Sequence, residues 1–452
     1  MKLLKNIFRV ALANIANFGS SFLVGFILPA VLTVAAYGHY KEYTLYLSFV
    51  YIFNLGFNDG IYIKYGGKDP ESMNREELHE EHNFITIFQF IIFIGMMAVS
   101  LFLRDPILTL FSIVTFFRVL TTYHQNFAQA TGDFKLFSNG NILKSIIYIG
   151  TLLFAIFVLR SDNYLVYVLM SVLSHITIYL LYEITYIRRY GYRKTLNLKG
   201  KFNLFYVGIF ILLANMSLTF VGNVGSWVVN FGFDVESFAQ YSFQNSVLNL
   251  ILLIVNAVGM VFYNVISQHE NQTMLKLTKR ICLFLGVFSG LGFFVFRSVI
   301  EFFLPQYTQA VDLLSITFIS IPYIMVTKII IANLYKSRKN EKKYLKDVGL
   351  FALAAFGGVV AVYYLTHSLE AIALATTGAY IVWFLYTTRI EYNYLKSTNK
   401  ELLLLLSHFV VFFFTSTQLT ILQGAIAYFF YIVVVTVLFK KEFKGLIDYA
   451  RK

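Results

Sequence analysis

Stretches of about twenty apolar residues, bounded by charges or turn residues, recur from one end of this 452-residue chain to the other. They fall at 8–33, 42–65, 83–103, 106–131, 140–160, 164–187 and 203–231, then at 238–266, 280–303, 307–336, 346–366, 369–393, 402–418 and 420–439. A helix needs ~20 such residues to cross the hydrocarbon core of a bilayer. In lipid only helices and closed barrels satisfy every backbone group, and the roughly ten-residue alternating segments of a barrel do not occur. Charged residues make up 13% of the chain, about half the ~25% of soluble domains, which excludes a soluble enzyme, a disordered regulator and a coiled coil. The pattern predicts an all-α polytopic membrane protein of about 14 (12–14) transmembrane helices. The last pair of runs is the shortest.

The net charge of +13 would raise nucleic-acid binding in a soluble protein. Threading the chain with its N-terminus in the cytoplasm explains the charge differently. Thirty-one of the 37 Lys and Arg then collect at cytoplasmic ends, including Arg188–Lys201, Lys336–Lys346, Lys144 and the C-terminal tail. Such a bias is the positive-inside signature, so no nucleic-acid partner is expected. Both termini are expected in the cytoplasm. The basic N-terminus is read as the start of the first span, since its apolar run is too long for a secretory signal and contains Pro29.

The connecting loops are too short to hold a domain. No Walker A, HExxH, CxxC or GxSxG pattern stands in the sequence. No catalytic residue, cofactor or metal is therefore expected, and Cys282 has no intrachain partner. The stretch Glu76, Glu77, His79, Glu80, Glu81, His82 is expected to be a solvated helix start and not a metal site.

The basic loop Arg188–Lys201 divides six spans from the next six. An even number predicts a parallel repeat about the membrane normal. Asn54-Leu55-Gly56-Phe57 and Asn256-Ala257-Val258-Gly259 stand at similar depths in the two halves. The expected organisation is a lobe over 1–200, a second over 201–396 around a central cavity, and an additional helix pair with a basic tail over 397–452.

Polar side chains at helical spacing inside a span face other helices or water. Thr115, Arg118, Thr122, Gln125 and Gln129 form such a stripe, as do Tyr51, Asn54, Asn58 and Tyr62. Asn14, Asn17 and Ser21 continue the pattern in the first span; Asn215, Thr219, Gly222, Ser226 and Asn230 in the seventh; and Ser242, Asn245, Asn249, Asn256 and Tyr263 in the eighth. Amides and hydroxyls beside aromatic rings suit a sugar, and interhelical hydrogen bonds are the alternative use. Asn54, Asn58, Thr122, Gln125, Asn223, Asn249 and Asn256 are the candidate sugar contacts.

Arg118 lies near the centre of its span, where a cation costs at least ~2.5 kcal/mol and calls for an anionic partner. That partner is either a substrate phosphate, which Arg grips bidentately, or one of the carboxylates Asp59 and Glu183. Lys328 repeats a basic group in the second half, with snorkelling as its alternative. Asp59 and Glu183 are candidates for ion coupling or for ion-pair partners. His124, His175 and His408 are expected as core hydrogen-bonders.

With Tyr37-Gly38-x-Tyr40, Asn54-Leu55-Gly56-Phe57, Gly60, Phe127-Ala128-Gln129-Ala130-Thr131-Gly132-Asp133-Phe134 and Phe137-Ser138, the chain resembles the oligosaccharide flippases (Wzx type) of the multidrug/oligosaccharidyl-lipid/polysaccharide exporter superfamily. The resemblance implies two six-helix lobes around a cationic cavity. It also implies transport of an undecaprenyl-pyrophosphate-linked glycan across the bacterial cytoplasmic membrane, with a polysaccharide polymerase as a further partner. Arg118 and Lys328 are in keeping with that cavity. The extra helix pair departs from the twelve-helix form and leaves open a closer relation to fourteen-helix lipid II flippases or teichuronic-type exporters. An ion-coupled multidrug exporter of the same superfamily is the alternative.

Overall fold

The computed structural model describes residues 18–69, 73–268, 271–337 and 341–440. Within them every apolar run is helical, and no β-strand is present. The helices are α1 (Phe18–Val31), α2 (Val34–Ser48), α3 (Phe57–Tyr65), α4 (Arg75–Leu103), α5 (Pro106–Ala130), α6 (Phe134–Leu159), α7 (Tyr164–Tyr190) and α8 (Lys201–Gly232). They continue as α9 (Val235–Gln268), α10 (Gln272–Phe303), α11 (Gln309–Tyr335), α12 (Lys342–Thr366), α13 (Leu369–Glu391), α14 (Asn399–Thr417) and α15 (Ile421–Leu438). Among the described residues, eleven helices are long and apolar enough to cross a membrane, including both members of the final pair.

Their starts follow from local chemistry. The Asp105 carboxylate accepts from the N–H groups of Ile107 and Leu108 at 2.7 and 3.1 Å, with Pro106 at the first helical position. Asn163 caps α7, and Thr398 forms a capping box with Glu401 on α14. Such caps supply partners for amide donors that the helix itself leaves free.

The chain forms two compact units, one from Met1–Asn223 with Leu345–Gly349 and one from Val224–Tyr344 with Leu350–Lys452. In the first, α5 is central and packs against α3, α4, α6 and α7. Phe57, Ile61, Tyr65, Leu78, Tyr123 and Phe127 form a buried core there. The second apolar run is broken into α2, a short 3-10 turn and α3. Leu55 and Gly56 adopt positive φ (49° and 92°), and the Asn54 side chain accepts from the Gly56 N–H at 2.7 Å.

The break lets α3 meet α8 backbone to backbone. A Cβ on Gly208 would overlap the Gly56 carbonyl oxygen, and one on Gly60 would overlap that of Leu204. The Asn54–Gly60 motif is thus a joint between helices. Its counterpart 256–259 lies inside the unbroken helix α9, so the two segments differ in backbone path. The Phe127–Phe134 motif is likewise a turn: Gly132 takes φ 75°, and Asp133 caps α6 through the Leu136 N–H at 2.9 Å.

The expected solvated start of α4 is instead packed. Glu81 is fully buried, ion-pairs with Lys64 and accepts from the Tyr65 hydroxyl at 2.8 Å. Glu77 also pairs with Lys64, and Glu80 with Lys201 at 3.1 Å. The acidic run is spent neutralising nearby lysines, which linear charge counting could not show.

In the second unit α11 is almost wholly buried and packs against α9, α13 and α14. The final pair belongs to this unit. The Tyr428 hydroxyl on α15 donates to the Val287 carbonyl at 2.6 Å and lies 2.9 Å from His408 Nδ1 on α14. Lys279, fully buried, pairs with Glu401 at 2.7 Å, and Arg280 meets the other carboxylate oxygen at 3.0 Å.

Three changes test this packing by thermal melting of the purified protein in detergent. Gly208→Leu should cost about 3 kcal/mol, because the added side chain must force α3 from α8. Gly95→Ala, where a Cβ meets nothing within 4 Å, should be neutral or stabilising by up to about 1 kcal/mol. Glu401→Gln leaves Lys279 buried without its countercharge and should cost about 3–5 kcal/mol.

Candidate substrate-binding site

Arg118 sits halfway along α5, and its surroundings set the chemistry of the first unit. One terminal nitrogen lies 2.7 Å from His175 Nε2 on α7, and the other donates to the Tyr51 hydroxyl at 3.0 Å. The guanidinium carbon also stands over the Tyr51 ring, 5.2 Å from its centre. A guanidinium can only donate, so His175 Nε2 accepts. The ring proton then sits on Nδ1, which donates to the Ser171 carbonyl at 2.8 Å. Arg118 is thus held by a neutral imidazole and a neutral phenol, and its Nε is buried without a hydrogen bond.

Lys144 on α6 lies within electrostatic range of both Arg118 and His175. It makes no hydrogen bond or ion pair among the described residues. Threading counts Lys144 at a cytoplasmic end, and it stands ten residues after the first residue of α6. The nearby polar groups are neutral. Tyr40 and Tyr148 hydrogen-bond hydroxyl to hydroxyl, Tyr43 donates to Ser171 at 3.2 Å, and Thr151 meets Ser174 at 2.9 Å. Two cations therefore share an interior region with no carboxylate bonded to either. Arg118, Lys144, Tyr51 and Tyr148 all keep part of their surface accessible.

The carboxylates considered as partners for Arg118 are placed elsewhere. Glu183 is bonded to His82 and His124 at 3.0 and 2.9 Å. Asp59, partly exposed in the first turn of α3, has no ion pair among the described residues. Lys328 lies in a π-helical turn, Thr327–Ile331, within α11. It is partly exposed and has no hydrogen bond or ion pair among the described residues.

The candidate sugar contacts divide by burial. Asn54 and Asn58 are fully buried, and their amides are committed to Gly56 and to the Val119 carbonyl at 3.0 Å. They fasten backbone and face no cavity. Thr122 and Gln125 are partly exposed; Thr122 bonds its own helix at Arg118, and Gln125 donates to Asn141 at 3.1 Å. Asn223 donates to the Thr219 carbonyl at 2.8 Å, and Asn249 is exposed. The side chain of Asn256, like Asn14 and Asn17, lies outside the described residues. What sequence reasoning lacked is the pairing of His175 with Arg118 and the approach of Lys144 to both. Asn141, Lys144, Tyr148 and Thr151 recur at three- and four-residue steps on α6 and carry the signal that could have found Lys144.

The sequence matches no family model and no curated protein. Its fold recurs among solved structures. A lipid II flippase MurJ in an inward closed conformation superposes with TM-score 0.71 at 16% identity, covering 95% of this chain and 99% of that one. An inward-facing multidrug resistance MATE family transporter of the MOP superfamily gives 0.58 at 14% identity, with 87% and 100% covered. A MATE in complex with MaD3S gives 0.53 at 16% identity, with 87% and 97% covered.

The fold is that of MurJ and the MATE transporters. It is a multi-pass, all-helical membrane fold, and at these identities the likeness establishes the fold alone.

The hydrogen bonds around Arg118 predict a ranking in thermal melting. Tyr51→Phe keeps the ring under the guanidinium and should cost about 1 kcal/mol. His175→Leu leaves a buried donor unmet and should cost about 1–3 kcal/mol.

Proposed function

We propose that the protein is a flippase for undecaprenyl-pyrophosphate-linked oligosaccharide repeat units. It would carry them from the cytoplasmic to the outer leaflet of the bacterial cytoplasmic membrane by alternating access, for assembly of a cell-surface polysaccharide. The carrying observation is the pair Arg118 and Lys144, two interior cations without a bonded carboxylate. Excess positive charge in a low-dielectric interior is stabilised by an anion that arrives with the cargo. A pyrophosphate supplies that charge, and Arg118 can grip it bidentately.

Thr122 and Gln125, on the α5 face that carries Arg118, are suited to the hydroxyls of the attached sugar, with Asn223, Asn249 and Asn256 as further contacts. Lys328 offers the second unit an unpaired cation of its own. The prenyl chain would stay in lipid, which removes any need for a large apolar binding pocket. Asp59 is the carboxylate left for ion coupling, since Glu183 is committed to two histidines. In this reading no residue is catalytic, the termini are cytoplasmic, and a polymerase receives the flipped unit. The lobes 1–200 and 201–396, with the pair 397–452, are the working parts.

The MATE fold could also house a multidrug exporter. Exporters of cationic drugs call for anionic groups in the interior, and the unpaired interior charges around Arg118 are basic, so this reading stands second.

Complementation of a flippase-deficient host tests the proposal. Arg118→Gln and Lys144→Gln should each lower glycan export by about ten-fold or more, the loss expected of one charge-assisted contact to phosphate, while lipid-linked repeat units accumulate on the cytoplasmic face. Full export by the double variant at wild-type protein levels would remove the anion role and the proposal with it.

A further inference from the structure

Three helices of the first unit bring two imidazoles and one carboxylate to a single point. His82 on α4 and His124 on α5 each present Nε2 to the same Glu183 oxygen, Oε2, at 3.0 and 2.9 Å from α7. All three donor atoms lie within 4.8 Å of one another. Tetrahedral coordination at the usual Zn–N and Zn–O lengths separates neighbouring ligand atoms by about 3.3 Å. Closing the widest pair from as much as 4.8 Å to that spacing takes movements on the order of 1 Å, shared between side chains, to turn the hydrogen-bonded cluster into a coordination set.

The rings are held in place for it. His82 stacks on Tyr186 with centroids 4.9 Å apart, and His124 lies parallel to Tyr182 at 6.2 Å. Tyr179 stands beside Glu183 one turn earlier on the same helix, where an outer neighbour can orient a ligating carboxylate. Both histidines are buried, while Glu183 keeps partial exposure. His124, Tyr182 and Tyr186 line a pocket together with Asp133 and Arg189. That pocket brings open space up to the His124 side of the cluster.

We propose that His82, His124 and Glu183 form a binding site for one divalent cation of the zinc class, clamping α4, α5 and α7 together. Two imidazoles with one carboxylate select Zn²⁺, Co²⁺ or Ni²⁺ over Mg²⁺ and Ca²⁺, which prefer oxygen alone. A bound dication more than offsets the Glu183 charge and binds both imidazoles in their neutral form. No linear motif announces the site, because His124 and His82 lie 59 and 101 residues from Glu183. The expectation of no metal site, drawn from motifs, is revised on this geometry. The site does not depend on the flippase reading.

The test is titration of tag-free, full-length protein in detergent with Co²⁺, followed by Zn²⁺. The expected result is one Co²⁺ per chain with visible d–d absorption, displaced by Zn²⁺ but not by excess Mg²⁺ or Ca²⁺, and a rise in melting temperature on binding. His124→Gln and Glu183→Gln should weaken binding by roughly ten-fold or more, while His367→Gln, on the exposed surface, leaves it unchanged. X-ray absorption of the wild-type zinc complex should show two imidazoles, a readout that does not require the variants to fold. Less than stoichiometric binding by the wild type, wild-type affinity in both folded variants, or a zinc shell without two imidazoles overturns the proposal.

Discussion

Everything in this molecule follows from the absence of water in the hydrocarbon layer. A backbone amide that cannot reach water must be bonded within its own segment, so each apolar run becomes a helix. The same constraint governs side chains. Among the buried amides, Asn58 and Gln89 donate to the Val119 and Phe53 carbonyls, and Asn54 accepts from the Gly56 N–H. Thr and Ser residues throughout the spans return their hydroxyls to the carbonyl one turn earlier, as Thr115 and Thr121 do. Against these commitments, the Arg118 Nε is buried without a hydrogen bond.

Charge in the interior is handled in two ways. Lys279 with Glu401, and Glu81 with Lys64, neutralise each other at close range. Arg118 is treated differently: a neutral histidine and a tyrosine orient it without cancelling its charge. Lys144 adds a second positive charge nearby. Orientation without neutralisation is the arrangement that a transient anionic ligand requires, because a resident carboxylate would compete with the cargo for the same guanidinium. Glu183, the acid closest in kind to such a competitor, is drawn off by His82 and His124.

Close helix packing is what makes these placements reproducible. Gly56, Gly60 and Gly208 bring α3 and α8 into backbone contact, and the positive φ of Leu55 and Gly56 turns α3 onto that contact. The conformational strain at Leu55 is offset by the packing that the break allows. Aromatic rings then fill the spaces the helices leave, and they set ring planes at His82 and His124.

Much of this was legible in the residues themselves. Span positions, all-helical class and the final helix pair follow from hydropathy, because burial in lipid depends on composition over about twenty residues and hardly on context. Arg118 and Lys328 were visible as charges in apolar runs. The roles of the amides were not, since Asn54 and Asn249 look alike in a helical stripe until neighbouring helices bury one and expose the other. Lys144 read as one more basic residue at the end of a run because the groups beside it, Arg118 and His175, lie on other helices. The sequence alone determined which segments are helices and which groups are too polar for their depth. Only the tertiary structure decided which of those groups are paired, because a partner fifty or a hundred residues away is chosen by helix packing, and local pattern carries no information about it.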